Sequence, residues 1–439
     1  MSNVNFQKSS EAAVKLVSYF QEKRIEVLAR QTNFIKRKRK VTGLQFLLSL
    51  LCGLVPCAAP SLESMITCFE VCISRQGLHK RFTKCAVEFL KALLADVLIQ
   101  ITAQIEPLRQ GVRQFERIVL WDSTQWQLKE QLQRSFPGYG GGASKAACKL
   151  QTGIDLVSGQ ILHLDYHKST RPDQGYGPTI LKTMRSGDLL IFDLGYYSVH
   201  FFSTIISRSG YFICPVYYNA VVKTDQYQAS VAEFLLKSKA KSIDRLLEVG
   251  TLYSAQLRLV AVRNSKEKAA RLRKKVREDY RKQGRIPSKK KLLFCDWTTL
   301  ITNLSPQQLS AENVIQIYRC RWHIEIFFRD AKSHLRLDLS SSKNRYRFEA
   351  QLLAVVLLAA ILYFVHGRFN FYSQNQELSL DKFIKRFSQA VALIRWLILN
   401  QKFKDLLPIF EKLLRHSIKF HQPDRLTSRQ ILQNAGVLS

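Results

Sequence analysis

Residues 318–332 read YRCRWHIEIFFRDAK, and four of their side chains are of types that act together on an anionic substrate. At about 100° per residue, Tyr318, Arg321, Glu325 and Lys332 fall within roughly a 60° arc of one helix. Ile324, Ile326, Phe327 and Phe328 point elsewhere around it, and His323 lies off the stripe as a packing residue. A helix apolar on its other faces is expected to be buried, so its carboxylate needs a partner. One partner is Arg321 itself, an i,i+4 neighbour of Glu325, which would make only an internal ion pair. The other possibility draws on two distant acids. Asp122 follows the apolar run Ile118-Val119-Leu120-Trp121, and Asp193 follows Leu189-Leu190-Ile191-Phe192. Acids at the C-terminal ends of buried strands stand where ligand sites open in α/β sheets, although a strand-end Asp is often a turn former. Three converging carboxylates repel one another unless a cation intervenes, and hard oxygen donors select Mg²⁺ or Mn²⁺. Two such ions roughly 3.5–4 Å apart can activate a water or hydroxyl and stabilise a leaving oxygen.

The elements that must position these groups follow from the hydrophobic period. Residues 1–108 read as helical, with Leu44, Leu47, Leu48 and Leu51, then Val87, Leu90, Leu93, Leu94 and Leu98, at helical spacing. The segment Ser74–Phe82 has the look of a turn leading into a basic helix, either a helix-turn-helix or a solvated helix of a bundle. From Arg117 the pattern becomes strand-like. A hairpin turns at Val157-Ser158-Gly159-Gln160 between two alternating runs, and a helix is expected over Pro178–Arg185. A mixed α/β sheet follows from this order, carried by residues 109–219 and 293–345. Between them, residues 220–292 form a basic insertion, with strand-like flanks at Leu257–Val262 and Leu292–Cys295. From Arg263 to Lys291 it holds 14 Lys and Arg against 3 Asp and Glu, a density that favours phosphate backbone over a merely solvated face. One long helix is expected over Leu309–Asp338, and residues 346–439 read as largely helical.

The 439 residues carry 67 Lys and Arg against 34 Asp and Glu, a formal charge of +33. That balance points to a polyanion, since each phosphate contact releases condensed counterions. A membrane is the weaker partner: the longest apolar run, Leu352–Val365, has 14 residues where roughly 20 are needed to span. No basic-then-apolar leader is expected at the N-terminus. The 9 cysteines lie among apolar neighbours with no CxxC pair, so a reducing, cytoplasmic location is expected.

The spacing Tyr-x2-Arg-x3-Glu-x6-Lys resembles the signature of the IS-four-type (DDE) insertion-sequence transposases, the family of the Tn-five and Tn-ten enzymes. The resemblance extends to Trp121-Asp122-Ser123-Thr124 and Phe192-Asp193-Leu194-Gly195-Tyr196-Tyr197. It also takes in Phe136-Pro137-Gly138, Lys149-Leu150-Gln151, Ser158-Gly159-Gln160 and Ile301-Thr302-Asn303-Leu304, covering about residues 70–345. It implies a ribonuclease H-like mixed sheet with a β-rich basic insertion, flanked by an N-terminal DNA-binding helical region and a C-terminal helical region available for dimerisation. Asp122, Asp193 and Glu325 would be the DDE triad holding two Mg²⁺ or Mn²⁺ ions, and Tyr318, Arg321 and Lys332 would contact phosphates near the scissile bond. Trp297 would stack near a flipped base, unless it is a core aromatic. Leu194 departs from the family, where relatives often carry a basic residue. The implied activity is cut-and-paste transposition, in which hydrolysis at transposon ends frees a 3′-OH for transfer into target DNA. Its partners would be double-stranded DNA, as terminal inverted repeats and target, and a second copy of the chain. It would act in the bacterial cytoplasm, nucleoid-associated when bound. Two other readings stay open: a metal-dependent nuclease or resolvase on the same fold, and a non-catalytic DNA-binding protein.

Overall fold

The computed structural model describes residues 2–37, 40–54, 61–105, 114–140, 144–224, 227–335, 337–338, 342–372, 377–419, 426 and 428–438; the expected boundary at 108/109 lies outside them. The chain divides into two compact units. The first comprises Met1–Gln110, Ser123–Thr170 and His323–Arg425, and the second Gly111–Asp122, Arg171–Trp322 and Leu426–Ser439. Ten strands matter here: β1 (Ile118–Gln127), β2 (Ala147–Asp155), β3 (Ile161–Lys168), β4 (Leu189–Phe192), β5 (Tyr211–Pro215), β6 (Val221–Lys223), β7 (Gln228–Ser230), β8 (Ser242–Gly250), β9 (Ser254–Arg263) and β10 (Trp297–Thr302).

In the second unit the strand order is β1-β4-β5-β10-β9-β8-β6-β7. β1, β4 and β5 run parallel, and from β5 onward every neighbouring pair is antiparallel. Ile118–Trp121 and all of β4 are buried, as expected for parallel strands covered on both faces. Where these two strands begin, Arg117 donates through Nε to Asp188 Oδ1 at 2.8 Å and through Nη2 to the other carboxylate oxygen and to Thr183 O. The amide of Arg185 adds a bond to the same carboxylate at 2.8 Å. Asp188 is fully buried, so this fork is what makes its charge tolerable.

The motif Ile301-Thr302-Asn303-Leu304 has a structural task in this sheet. Thr302 Oγ1 donates to Phe212 O at 2.6 Å, while Asn303 accepts from Phe212 N at 3.0 Å and donates to Gly210 O at 2.9 Å. These bonds extend the β5–β10 ladder past its end. The strands of the basic segment are present as β6–β9, and they continue the sheet. The charge itself sits on a helix, Lys266–Lys282, and the strand expected at Leu292–Cys295 is the end of a second helix, Lys289–Phe294. Three lysines there and the Ser288 cap, which accepts from Lys291 N, favour a helical turn over extension.

The first unit is built around one long helix, Arg345–Tyr372, packed by Ser2–Val17, Gly43–Leu54 and Lys84–Ile105. The 14-residue apolar run lies inside it. The helix is longer than that run implied, long and apolar enough to cross a bilayer by length and composition, yet its apolar window is completely buried within the protein. It therefore reads as the core of a helical unit. β2 and β3 form the expected hairpin. Its turn is held by the Asp155 carboxylate, which accepts from Ser158 N at 3.2 Å and Ser158 Oγ at 2.5 Å. Gln160 then donates to Phe364 O at 3.0 Å, tying the turn to the central helix. Gly367 is the helix residue that permits this approach: a Cβ there would lie 2.1 Å from Ser158 O. The described residues of 346–419 thus share a core with the N-terminal helices, whereas Leu426–Ser439 belongs to the second unit.

Candidate active site

Asp122 and Asp193 are brought to neighbouring positions by the β1–β4 ladder. Trp121 is in register with Phe192, so each acid is the next residue beyond the last pair. Asp122 departs from the expected strand end, because β1 continues through Gln127. It is the parallel pairing with β4 that stops there, and the acid sits half-buried at that edge. Asp193 follows β4 and caps the short turn Leu194–Tyr196, accepting from Gly195 N at 3.3 Å. Its carbonyl accepts from the Cys214 thiol on β5 at 3.5 Å.

Arg321 lies across the two acids. Its Nη1 donates to Asp122 Oδ2 at 2.7 Å, and its Nη2 is 4.0 Å from Asp193 Oδ1. The side chains of Arg321 and Asp122 are only 18% and 15% exposed, so the pair is poorly screened by water. Weighed from sequence as a partner for Glu325, Arg321 directs its guanidinium to Asp122. Tyr318 is in the same cluster: burial pushes its phenol pKa up, reinforced by the charge of Asp193 and opposed by that of Arg321. The hydroxyl therefore stays protonated and able to donate.

The single helix expected over Leu309–Asp338 is two helices, Ala311–Arg319 and Trp322–Ser333. At the break, Cys320 N and Arg321 N bond to Ile317 O and Tyr318 O, both at 3.0 Å. These i→i−3 bonds tighten the turn and end the i→i−4 ladder. The one-helix projection of the four signature residues thus stops at Arg321. In the second unit stand Asp122, Asp193, Tyr318 and Arg321; in the first stand Glu325 and Lys332. Two helical turns apart, the latter two stay within about 20° of each other on Trp322–Ser333. That helix is amphipathic rather than apolar all round. Ile324, Phe327 and Phe328 are buried, whereas Glu325 is exposed in the first turn, where the helix dipole favours an acid. Lys332 Nζ donates to Gln125 O at 3.2 Å, and burial lowers its pKa.

Trp297, the first residue of β10, is 4% exposed, and the Arg263 guanidinium lies 4.4 Å from its ring centre. A residue that sequence reasoning missed is Asp173. A Cβ on Gly195 would lie 3.0 Å from Asp173 Oδ2, so this carboxylate abuts the turn that carries Asp193. The buried Tyr196 phenol has its pKa raised by burial and then by the charges of Asp173, Asp122 and Asp193. No spacing signal marked Asp173; only the short turn Asp173–Tyr176 brings it there.

Among the described residues, no group of three His, Cys, Asp or Glu side chains is assembled to hold a metal ion. The donor chemistry of Asp122 and Asp193 nevertheless fits a hard divalent cation: two carboxylates already organised around one shared positive charge.

The family described as "Transposase DDE domain" matches residues 113–362. The transposase for insertion sequence element IS231F of Bacillus thuringiensis subsp. israelensis is 28% identical, covering 98% of this chain and 96% of that one. The transposase for insertion sequence element IS1151 of Clostridium perfringens is 25% identical over 77% of this chain and 78% of its own. Among solved structures, the piggyBac transposase synaptic complex with hairpin DNA aligns with 95% of this chain and 87% of that one, at a TM-score of 0.46 and 9% identity.

Proposed function

Because the chain belongs to the transposase DDE-domain family, we propose that it is the transposase of an insertion sequence, cutting DNA at the element's ends and joining the freed 3′-OH to target DNA. The observation that carries the reading is the placement of Asp122 and Asp193 just beyond the last pair of the β1–β4 ladder, with Arg321 bonded to Asp122 and 4.0 Å from Asp193. Asp122, Asp193 and Glu325 would hold two Mg²⁺ or Mn²⁺ ions through carboxylate oxygens. Such ions, when bound, activate the attacking hydroxyl and stabilise the leaving oxygen.

The chain's own side chains supply the rest. Arg321 carries a permanent charge suited to phosphate oxygens, and its fork can pass from Asp122 to the DNA backbone. Tyr318, kept neutral by burial, donates its hydroxyl to a second oxygen. Lys332 adds a point charge on the same helix face as Glu325. Trp297, buried at the start of β10 beneath the Arg263 guanidinium, would stack on a displaced base only if that end of the strand were uncovered. Hydrolysis and strand transfer need the same in-line geometry, so one site serves both. Holding two ends together calls for a second copy of the chain, with residues 346–439 as the pairing region. Acting on DNA, the protein works in the bacterial cytoplasm, on the nucleoid.

The test is incubation of the purified chain with end-bearing duplex and Mg²⁺, beside Asp122→Asn, Asp193→Asn and Glu325→Gln. Each substitution is expected to abolish cleavage and strand transfer while DNA binding persists. Wild-type cleavage without joining would instead make the protein a nuclease or resolvase. Unchanged activity in all three variants would remove these acids from the chemistry, and DNA binding with no cleavage by the wild-type chain would leave only a binding protein.

A further inference from the structure

The helix Lys266–Lys282 is fastened to the second unit along one side and presents the other to solvent. Lys268 Nζ donates to Thr298 Oγ1 at 2.8 Å, and Arg273 pairs with Asp296, so the fastening runs to the residues around the start of β10. Ala269 is buried, and Leu272, Val276 and Tyr280 are half-buried on this side. The opposite side exposes Arg271, Lys274, Lys275, Arg277, Arg281 and Lys282. Near its N-terminal end, Lys268 has its pKa lowered first by burial and then by the charge of Arg319, at the end of the helix Ala311–Arg319.

We infer that this exposed face is a track for the phosphate backbone of duplex DNA leading away from the reacting end. The inference rests on the transposase reading and deepens it. At about 1.5 Å per residue the 17-residue helix is roughly 25 Å long. That spans about seven base pairs at 3.4 Å each. Cations without aromatic or amide partners on that face read charge and not bases, so the contact is independent of sequence. A membrane surface fits poorly. Helices that lie in lipid headgroups bury an apolar face there, and the apolar residues of this helix are turned toward the protein.

The experiment measures duplex binding by the full-length chain across a salt series, for end-bearing and unrelated DNA. The variant carries Arg271→Gln, Lys274→Gln, Lys275→Gln and Lys282→Gln; glutamine keeps helix propensity. A charge-matched control carries Lys129→Gln, Arg134→Gln, Lys182→Gln and Arg208→Gln, all exposed positions. In the track variant, the slope of log affinity against log salt should fall by about 3–4, at roughly 0.9 per lost contact. Affinity should fall on the order of 10²–10³-fold at 0.15 M salt, equally for both DNAs. The control should leave the slope unchanged. An unchanged slope in the track variant, an equal change in the control, or a loss confined to end-bearing DNA would each overturn the inference. So would charge-dependent binding to anionic phospholipid vesicles with no change on DNA. Cleavage by the track variant at low salt and saturating DNA should persist, which separates failure of this inference from failure of the catalytic reading.

Discussion

Replacing Arg117 with leucine is expected to destabilise the second unit strongly, because its guanidinium is buried against Asp188. Asp188 is fully buried and Arg117 is 7% exposed, so the substitution leaves a buried carboxylate with the Arg185 amide in place of a two-pronged guanidinium. Breaking such a pair from one side costs about 3–5 kcal/mol. For a unit of this size each kcal/mol moves the midpoint by about 2–4 °C, so the melting transition should drop by about 6–20 °C. The double variant Arg117→Leu with Asp188→Leu removes the orphaned charge and should recover much of the loss, because a buried ion pair exchanged for apolar residues is often neutral. Thermal unfolding of the full-length chain followed by near-ultraviolet circular dichroism, with both single variants, closes the cycle. The reasoning fails if Arg117→Leu shifts the midpoint by less than about 2 °C, or if the double variant melts below it. Since Arg117 begins the strand that ends its β4 pairing beside Asp122, cleavage should disappear at the same lowered temperature.

Gly367→Ala should lower the urea midpoint of the first unit. The added Cβ would sit 2.1 Å from the Ser158 carbonyl, a backbone atom that cannot swing aside, and overpacking of this kind costs about 1–3 kcal/mol. An unchanged midpoint would mean that the hairpin turn does not rest on the helix. Glu233 is held down to about 2, first by the hydrogen bond from Lys290 and then by those from Ser230 in its capping box. Its folded pKa lies below its unfolded one, so its stabilising contribution is complete above about 4.5 and is lost as pH falls toward 2. Carboxyl NMR titration should find this depressed midpoint, and Lys290→Ala should move it back toward the ordinary carboxylate range. A midpoint insensitive to Lys290 would remove that pairing from the account.

Local pattern determined much of what the sequence made legible. The buried runs at Ile118–Trp121 and Leu189–Phe192, the hairpin around Ser158-Gly159-Gln160 and the helical N-terminal segment follow from side-chain period and turn chemistry, which act over a few residues. The family was equally readable, because a four-residue spacing of unlike polar types is rare by chance. Tertiary structure decided the rest. The break at Cys320–Arg321 lies in a stretch whose period continues, and it coincides with the residue whose guanidinium reaches Asp122, 199 positions earlier. Period alone cannot register a bond to a distant strand. Apolar neighbours predict a buried Glu325, yet Ile324, Phe327 and Phe328 pack on one side and leave it exposed. Asp173 gave no signal, since its closeness to Gly195 depends on how two short turns pack. The basic run was visible as charge, but its division into a fastened side and a free side came only with Thr298 and Asp296 from a neighbouring strand and turn. Which partner a charged side chain takes is set by non-local contacts, and these form only when the sheet brings distant segments together.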